Sequence, residues 1–226
     1  GSTLSFIAQV LKKSGYQVGT FTSPYLIDFT NRIQVNGNDI SADDLVHVLN
    51  QVIPLAEELE TSEWGAPTEF EVVTVIALLY FATIAYPDIV LWEVGLGGRL
   101  DSTNIVIPVV SVITNVGHDH MDLLGEDIPS IAREKAGIIK PGVPVVSGIE
   151  DQEAVAIIKE TAKSKKAKVY QLNEQFFVKT HKIDGKGSIF EFKDPFFIMP
   201  DMKIQMVGSH QVNNAAVALM TLQLLR

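Results

Sequence analysis

The chain has 226 residues, 46% of them hydrophobic, enough for one large α/β domain with a proper core. Eighteen basic residues against 27 acidic ones leave a net charge of −9, which disfavours nonspecific nucleic-acid binding but leaves small anions within reach of a glycine loop or helix N-terminus. With no cysteine there is no disulfide, thiolate nucleophile or cysteine zinc site, and no apolar run reaches the roughly 18 residues of a membrane span. No signal peptide is visible, and a cytoplasmic location is the expectation.

Leu4, Ile7, Ala8 and Leu11 have helical spacing, with Gly15 as the stop. Residues 16–20 read as a strand. Ser41-Ala42-Asp43-Asp44 is a capping-box signal, opening a helix with Leu45, Val48, Leu49 and Val52 on one face. A second long helix is expected from near Thr68 to about Ala85. Residues 88–94 and 109–114 are short, apolar and β-branched, as buried parallel strands are. A helix follows over 127–138, a strand over 143–147 and a helix over 152–165. This alternation predicts a doubly wound, mostly parallel sheet flanked by helices. Beyond Lys166 the pattern changes. Residues 175–180 and 188–192 read as a hairpin around Asp184-Gly185-Lys186-Gly187, so a small antiparallel extension is expected near 167–207. A last helix covers 210–225. Without repeats or low-complexity linkers, residues 1–226 are expected to form one domain.

The densest chemistry lies in Glu93-Val94-Gly95-Leu96-Gly97-Gly98-Arg99-Leu100-Asp101-Ser102-Thr103-Asn104, directly after the apolar run Ile89-Val90-Leu91-Trp92. In open α/β sheets, ligands bind beyond the carboxyl ends of the strands. A carboxylate at a strand's end before a glycine-rich turn therefore sits where a metal or phosphate ligand is expected. The bland reading of Glu93 is an acidic strand end facing water. Gly95, Gly97 and Gly98 allow close backbone approach to phosphate or substrate. Asp101, Thr103 and Asn104 are placed to orient metal-bound water or substrate, two roles the sequence does not separate.

Two further segments, Asn115-Val116-Gly117-His118-Asp119-His120-Met121-Asp122-Leu123-Leu124-Gly125 and Ala132-Arg133-Glu134-Lys135-Ala136-Gly137-Ile138-Ile139-Lys140-Pro141-Gly142, make the signal specific. Together the three segments resemble the folylpolyglutamate synthase/dihydrofolate synthase family, within the Mur ligase superfamily. Phe21-Thr22-Ser23-Pro24-Tyr25-Leu26, with Asn31-Arg32-Ile33 after it, resembles the folate branch. Gly208-Ser209-His210-Gln211 with Asn214-Ala215-Ala216 resembles the late nucleotide-contacting segment. The resemblance runs the length of the chain in the family's order. Tyr25 stands where a histidine is usual and Asn31 where an acidic residue is usual, which puts folate contacts in that loop in question.

The resemblance implies the central ATP-binding domain of an ATP- and magnesium-dependent ligase that joins L-glutamate to folate or dihydropteroate. It implies Ser23, Glu93, His120 and Lys135 as metal-site residues. Lys135 matches a lysine that carbon dioxide converts to a carbamate, an anionic oxygen ligand suited to a second magnesium ion; the unmodified amine has only donors. By ligand chemistry alone an imidazole is a poor magnesium ligand, and a Ser-Pro turn or an exposed helical lysine is the ordinary reading of Ser23 and Lys135. Thr22, Pro24, Tyr25, Gly97, Gly98, Arg99, Asp101 and Asn104 are the expected substrate contacts. His210, Gln211 and Asn214 are expected against adenine or phosphates, with helix capping as the alternative for His210. Gly1-Ser2-Thr3 matches the last three letters of the family's phosphate loop, G-T-N-G-K-G-S-T, with a cloning scar as the alternative origin of Gly1-Ser2. The loop lysine and the family's C-terminal domain are expected to be missing from this chain, leaving an inactive piece of a monomeric enzyme. A cell-wall Mur ligase and a noncatalytic nucleotide-binding domain are the rival readings.

Overall fold

The computed structural model describes residues 1–25, 27–117 and 127–226. Contacts group them into two compact units: one of residues 1–7, 97–100 and 106–226, the other of residues 8–96 and 101–105. Helix α1, Ser2–Lys13, opens the chain at the predicted place, with Lys12 and Lys13 in the last turn, where cations suit the helix dipole.

The 8–96 unit is built on a four-stranded sheet. Its strands are β1 (Val18–Phe21), β2 (Ile33–Val35), β3 (Asn38–Asp39) and β4 (Ile89–Trp92), in the order β3-β2-β1-β4. β1 and β4 run parallel with Phe21 opposite Trp92, while β2 is antiparallel to β1 with Ile33 opposite Phe21. Helices α2 (Ala42–Glu60) and α3 (Glu69–Tyr80) cover the sheet with Val48, Val52, Val73, Ile76 and Ala77, which are buried with Phe21, Ile33 and Ile40.

The two helix starts differ in chemistry. Thr68 and Glu71 form a complete capping box, with the Thr68 amide donating to the Glu71 carboxylate at 2.7 Å. That hydrogen bond holds the Glu71 carboxyl below its usual range. At α2 only half of the box forms. The Ser41 hydroxyl accepts from the Asp44 amide, but Asp44 receives the hydroxyl rather than the Ser41 amide. The helix expected to run to Ala85 ends as an α-helix at Tyr80. Phe81–Ala85 continue as one π-turn, closed by Tyr86 in the left-handed region.

The second unit holds the parallel ladder β5 (Ser111–Ile113), β6 (Val145–Ser147) and β7 (Val169–Gln171), in that order. Helices α4 (Ile128–Ala136) and α5 (Gln152–Ser164) bury Ile131, Ala132, Val155 and Ile158 against it. Asp127 and Asp151 cap them by accepting from the Ser130 and Ala154 amides. The expected antiparallel extension is a three-stranded sheet of β8 (Phe177–Asp184), β9 (Gly187–Lys193) and β10 (Ile198–Ile204). Its first hairpin turns over two residues, with Asp184 paired to Gly187. Helix α6, Ser209–Leu224, packs Val212, Ala216 and Met220 with Phe176, Phe190 and Phe192.

The chain is thus α/β, with parallel strands, flanking helices and an antiparallel sheet. The parallel strands fall into two ladders, and β4 is half-buried along its length rather than fully buried. Among the described residues no helix is long and apolar enough to cross a membrane.

At the end of β6 the backbone packs without room for a side chain. A methyl group on Gly148 would stand 2.7 Å from both the Thr114 carbonyl oxygen and a Val217 methyl. Gly148→Ala is expected to destabilise the fold by about 1–3 kcal/mol, as overpacking does. Chemical denaturation measures this, and an unchanged midpoint would show that the loop yields freely.

Candidate active site

Parallel pairing of β1 and β4 sets the first part of the site. Because the strands run the same way in register, their carboxyl ends finish side by side. The Glu93 amide donates to the Phe21 carbonyl at 2.9 Å, and the Ser23 amide donates to the Glu93 carboxylate at 3.3 Å. The Glu93 carboxylate and the backbone of Ser23 are therefore held together at the end of the sheet where ligands bind in α/β folds, and each residue carries side-chain oxygen. Both are oxygen donors, the set that magnesium prefers. The Ser23-Pro24 peptide bond is cis. Thr22 pairs with the other side of the same end, its amide donating to the Arg32 carbonyl at 2.9 Å. Pro24 and Tyr25 are exposed beyond it.

The loop after Tyr25 closes on its own polar groups. Asp28 caps the 3-10 turn Phe29–Arg32, and its carboxyl lies below the usual range because it accepts the Thr30 amide and hydroxyl. Asn31 accepts from the Ile27 and Asp28 amides and donates to the Asp39 carboxylate at 2.8 Å. An acidic residue at 31 would face Asp39 with no donor. Asparagine is thus the side chain that suits this loop, which accounts physically for the departure seen in the sequence.

Asp101 holds the glycine-rich stretch. One carboxylate oxygen accepts the Leu96 amide at 2.8 Å, and the other accepts both the amide and the hydroxyl of Thr103. Thr103 is buried, and its carbonyl receives the Trp92 indole N–H at 3.1 Å. The Asn104 amide donates to the Asp101 carbonyl. Asp101 is therefore a structural clasp on this turn, a role that residue type and spacing did not separate from substrate contact.

In the other unit Gly97 and Gly98 are buried, with φ of 66° and 156°. A side chain on Gly98 would stand 2.8 Å from Ile138 and 2.9 Å from the Glu134 carbonyl oxygen. A side chain on Gly137 would collide with Arg99. The close approach that Gly98 permits is thus to the end of α4, which carries Lys135. Arg99 is fixed there twice, its amide on the Glu134 carbonyl and its guanidinium on the Glu134 carboxylate at 2.9 Å. Lys135 is half-buried. His120 lies outside the described residues, as does His118.

The predicted nucleotide residues come together at two helix N-termini in this unit. Thr3, buried in the first turn of α1, places its hydroxyl 3.3 Å from the Asn214 side-chain oxygen, and Asn214 donates to Gln211 at 3.3 Å. Gly1 and Ser2 precede Thr3 at the same helix start, the end whose dipole favours anions. The His210 ring lies against Gly208, whose φ of 117° only glycine adopts readily. No side chain caps α6, so His210 is not its cap. Among the described residues no three of His, Cys, Asp and Glu converge on a metal-sized site.

Asp101→Ala is expected to cost about 1.5–3 kcal/mol of stability, since it releases two amides and a hydroxyl from a charged acceptor. A melting curve equal to the wild type's, with a defect confined to substrate binding, would instead give Asp101 a ligand role.

The model of the Mur ligase middle domain matches residues 1–222. Dihydrofolate synthase/folylpolyglutamate synthase of Bacillus subtilis is 44% identical over 220 residues, covering 97% of this chain and 51% of that protein. Folylpolyglutamate synthase from Thermotoga maritima superposes with a TM-score of 0.90 at 38% identity, over 99% of this chain and 51% of that one. A folylpolyglutamate synthase structure described as a complex with AMPPCP and folate gives 0.91 at 37% identity, over 99% of this chain and 55% of that one. The chain spans about half the length of the curated relatives it matches. With nearly every residue inside the matched region, the chain belongs to the Mur ligase middle-domain family.

Proposed function

We propose that this chain is the central domain of an ATP- and magnesium-dependent ligase that joins L-glutamate to a folate-type carboxylate, dihydropteroate or a reduced folate. The observation that carries the reading is the Ser23 amide on the Glu93 carboxylate at the shared end of β1 and β4. The relatives described as folate ligases, one of them holding an ATP analogue and folate, supply the substrate class. The working location is the cytoplasm, and the enzyme acts as a monomer on small molecules, without nucleic acid or membrane.

A carboxylate oxygen is a poor leaving group, so amide formation needs activation. Phosphoryl transfer from ATP to the acceptor carboxylate gives an acyl phosphate and ADP. The glutamate amine attacks the acyl carbon, and the tetrahedral intermediate expels phosphate. The protein's task is positioning two anions and neutralising their charge. Glu93 and Ser23 would offer magnesium oxygen ligands, a carbamylated Lys135 would supply an anionic oxygen, His120 is the further ligand the resemblance implies, and bound magnesium would supply charge neutralisation. Thr22, Pro24, Tyr25 and Asn104 bound the acceptor's place. The α1 and α6 N-termini, with Thr3, Gln211 and Asn214, receive the nucleotide.

The full-length protein is expected to release ADP only when acceptor and glutamate are both present. Glu93→Gln should lower that turnover on the order of 10²-fold or more, since it removes an anionic metal ligand. Absence of turnover with dihydropteroate and tetrahydrofolate, but ADP release with a nucleotide-linked peptide, would move the assignment to a cell-wall Mur ligase. ATP binding without ADP release on any of these acceptors would leave a noncatalytic nucleotide-binding domain.

Carbamylation of Lys135 is tested separately. Protein equilibrated with ¹³C-bicarbonate and magnesium should show a carbamate carbon resonance that Lys135→Ala lacks. A spectrum identical in both proteins would remove Lys135 from the metal site.

A further inference from the structure

Arg32 sits at the ligand end of the β1–β4 sheet with its guanidinium only loosely paired. Its carbonyl receives the Thr22 amide, so its Cα is tied to the residue beside Ser23. The side chain is only 12% exposed, yet Nε has no hydrogen-bond partner. Glu69, 3.7 Å from Nη1, is beyond hydrogen-bond length and its side chain is 75% exposed. The guanidinium lies instead against two rings, 5.0 Å from the centre of Tyr25 and 5.6 Å from that of Phe29. The rings meet edge-on, with centroids 6.4 Å apart.

Ring faces attract a cation but accept no hydrogen bond from its N–H groups in the way an anion does. A largely buried guanidinium without an anionic acceptor is unusual, because desolvation is normally offset by hydrogen bonds. The planar fork matches a carboxylate, and Tyr25, 45% exposed, offers an aromatic surface next to it. An aromatic ring bearing a carboxylate would satisfy both features at once.

We propose that Arg32 binds the carboxylate of an aryl-carboxylate acceptor, with Tyr25 against its ring, and so positions the acid beside Glu93 and Ser23. The proposal deepens the ligase reading and rests on it for the identity of the acceptor. Sequence alone gives Arg32 no role as a site residue. An arginine after a turn has many ordinary uses, and only its burial among rings separates it from them.

Calorimetric titration of the full-length protein with pteroate and with its neutral carboxamide tests the assignment. The wild type should bind the acid roughly 10- to 100-fold more tightly than the amide, the worth of one charge-assisted hydrogen-bonded pair. Arg32→Gln should lose that preference, and Arg32→Lys, which keeps the charge without the fork, should retain part of it. In turnover assays Arg32→Gln should raise KM for the acceptor and leave KM for ATP unchanged. Equal binding of acid and amide by the wild type overturns the proposal without recourse to a variant. So does an undiminished preference in Arg32→Gln. If turnover occurs while the acid preference is absent, Arg32 fails and the ligase stands. If the preference is present and Arg32-dependent but ADP is never released, the ligase reading fails and the site stands.

Discussion

Parallel pairing between β1 and β4 is the constraint on which the Ser23–Glu93 pair depends. Two strands that run together must end together, and everything attached to those ends is brought within reach. Phe21 and Trp92 occupy paired positions in the last rung, with ring centroids 4.6 Å apart, so the packed core stops where the polar residues begin. Ser23 and Glu93 are 70 residues apart in sequence and joined by one hydrogen bond. That bond costs little to make because the ladder has already ordered both backbones. Antiparallel β2 brings its first residues to the same end from the opposite direction, which is why Arg32 arrives there too.

Glycine serves two distinct purposes near the site. At Gly98 and Gly137 its value is the missing side chain, which lets one backbone lie on another at the end of α4. At Gly208 the backbone conformation itself demands it. Within the protein, Gly98 approaches Ile138 and the Glu134 carbonyl, so the turn after β4 also serves packing. Asp101 tells the same story from the polar side. Its oxygens are taken up by Leu96 and Thr103, so its carboxylate shapes the turn.

How much of this could be read in the sequence varied with the range of the forces involved. The long helices were legible because their apolar spacing and start signals are local: the starts expected at Ser41, near Thr68, at 127 and at 152 fall within about a residue of those observed. The hairpin at 184–187 was legible because its turn residues are few and specific. Strands β2, β3 and β7 were not, since their two or three residues lack the apolar, β-branched run that marks β5 and β6. β10 was hidden by Pro200 and by the register shift between Met199 and Met202, where Asp201 takes a left-handed conformation. Glu93 and Ser23 stood out because both flank strand ends with distinctive neighbours. The partners of Asp101 and Asn31 did not, because hydrogen bonds to nearby amides leave no trace in residue type.

The loop from Asp28 to Asp39 shows how such hidden bonds constrain chemistry. Asn31 donates to the Asp39 carboxylate and its oxygen accepts two backbone amides, so its side chain is committed to the loop. Asp28 is likewise committed to Thr30, and Asp39 also receives Gln34. The polar side chains on this side of the sheet therefore hydrogen-bond one another and hold the turn in shape. Arg32, adjacent to Asn31, is the exception: the one cation in the turn, packed on rings and too far from Glu69 to bond it. The loop satisfies its carboxylates internally, while its guanidinium rests on aromatic faces with only a long ion pair to an exposed Glu69. At the carboxyl end of a parallel strand pair, an anion is the ligand that such an arrangement selects.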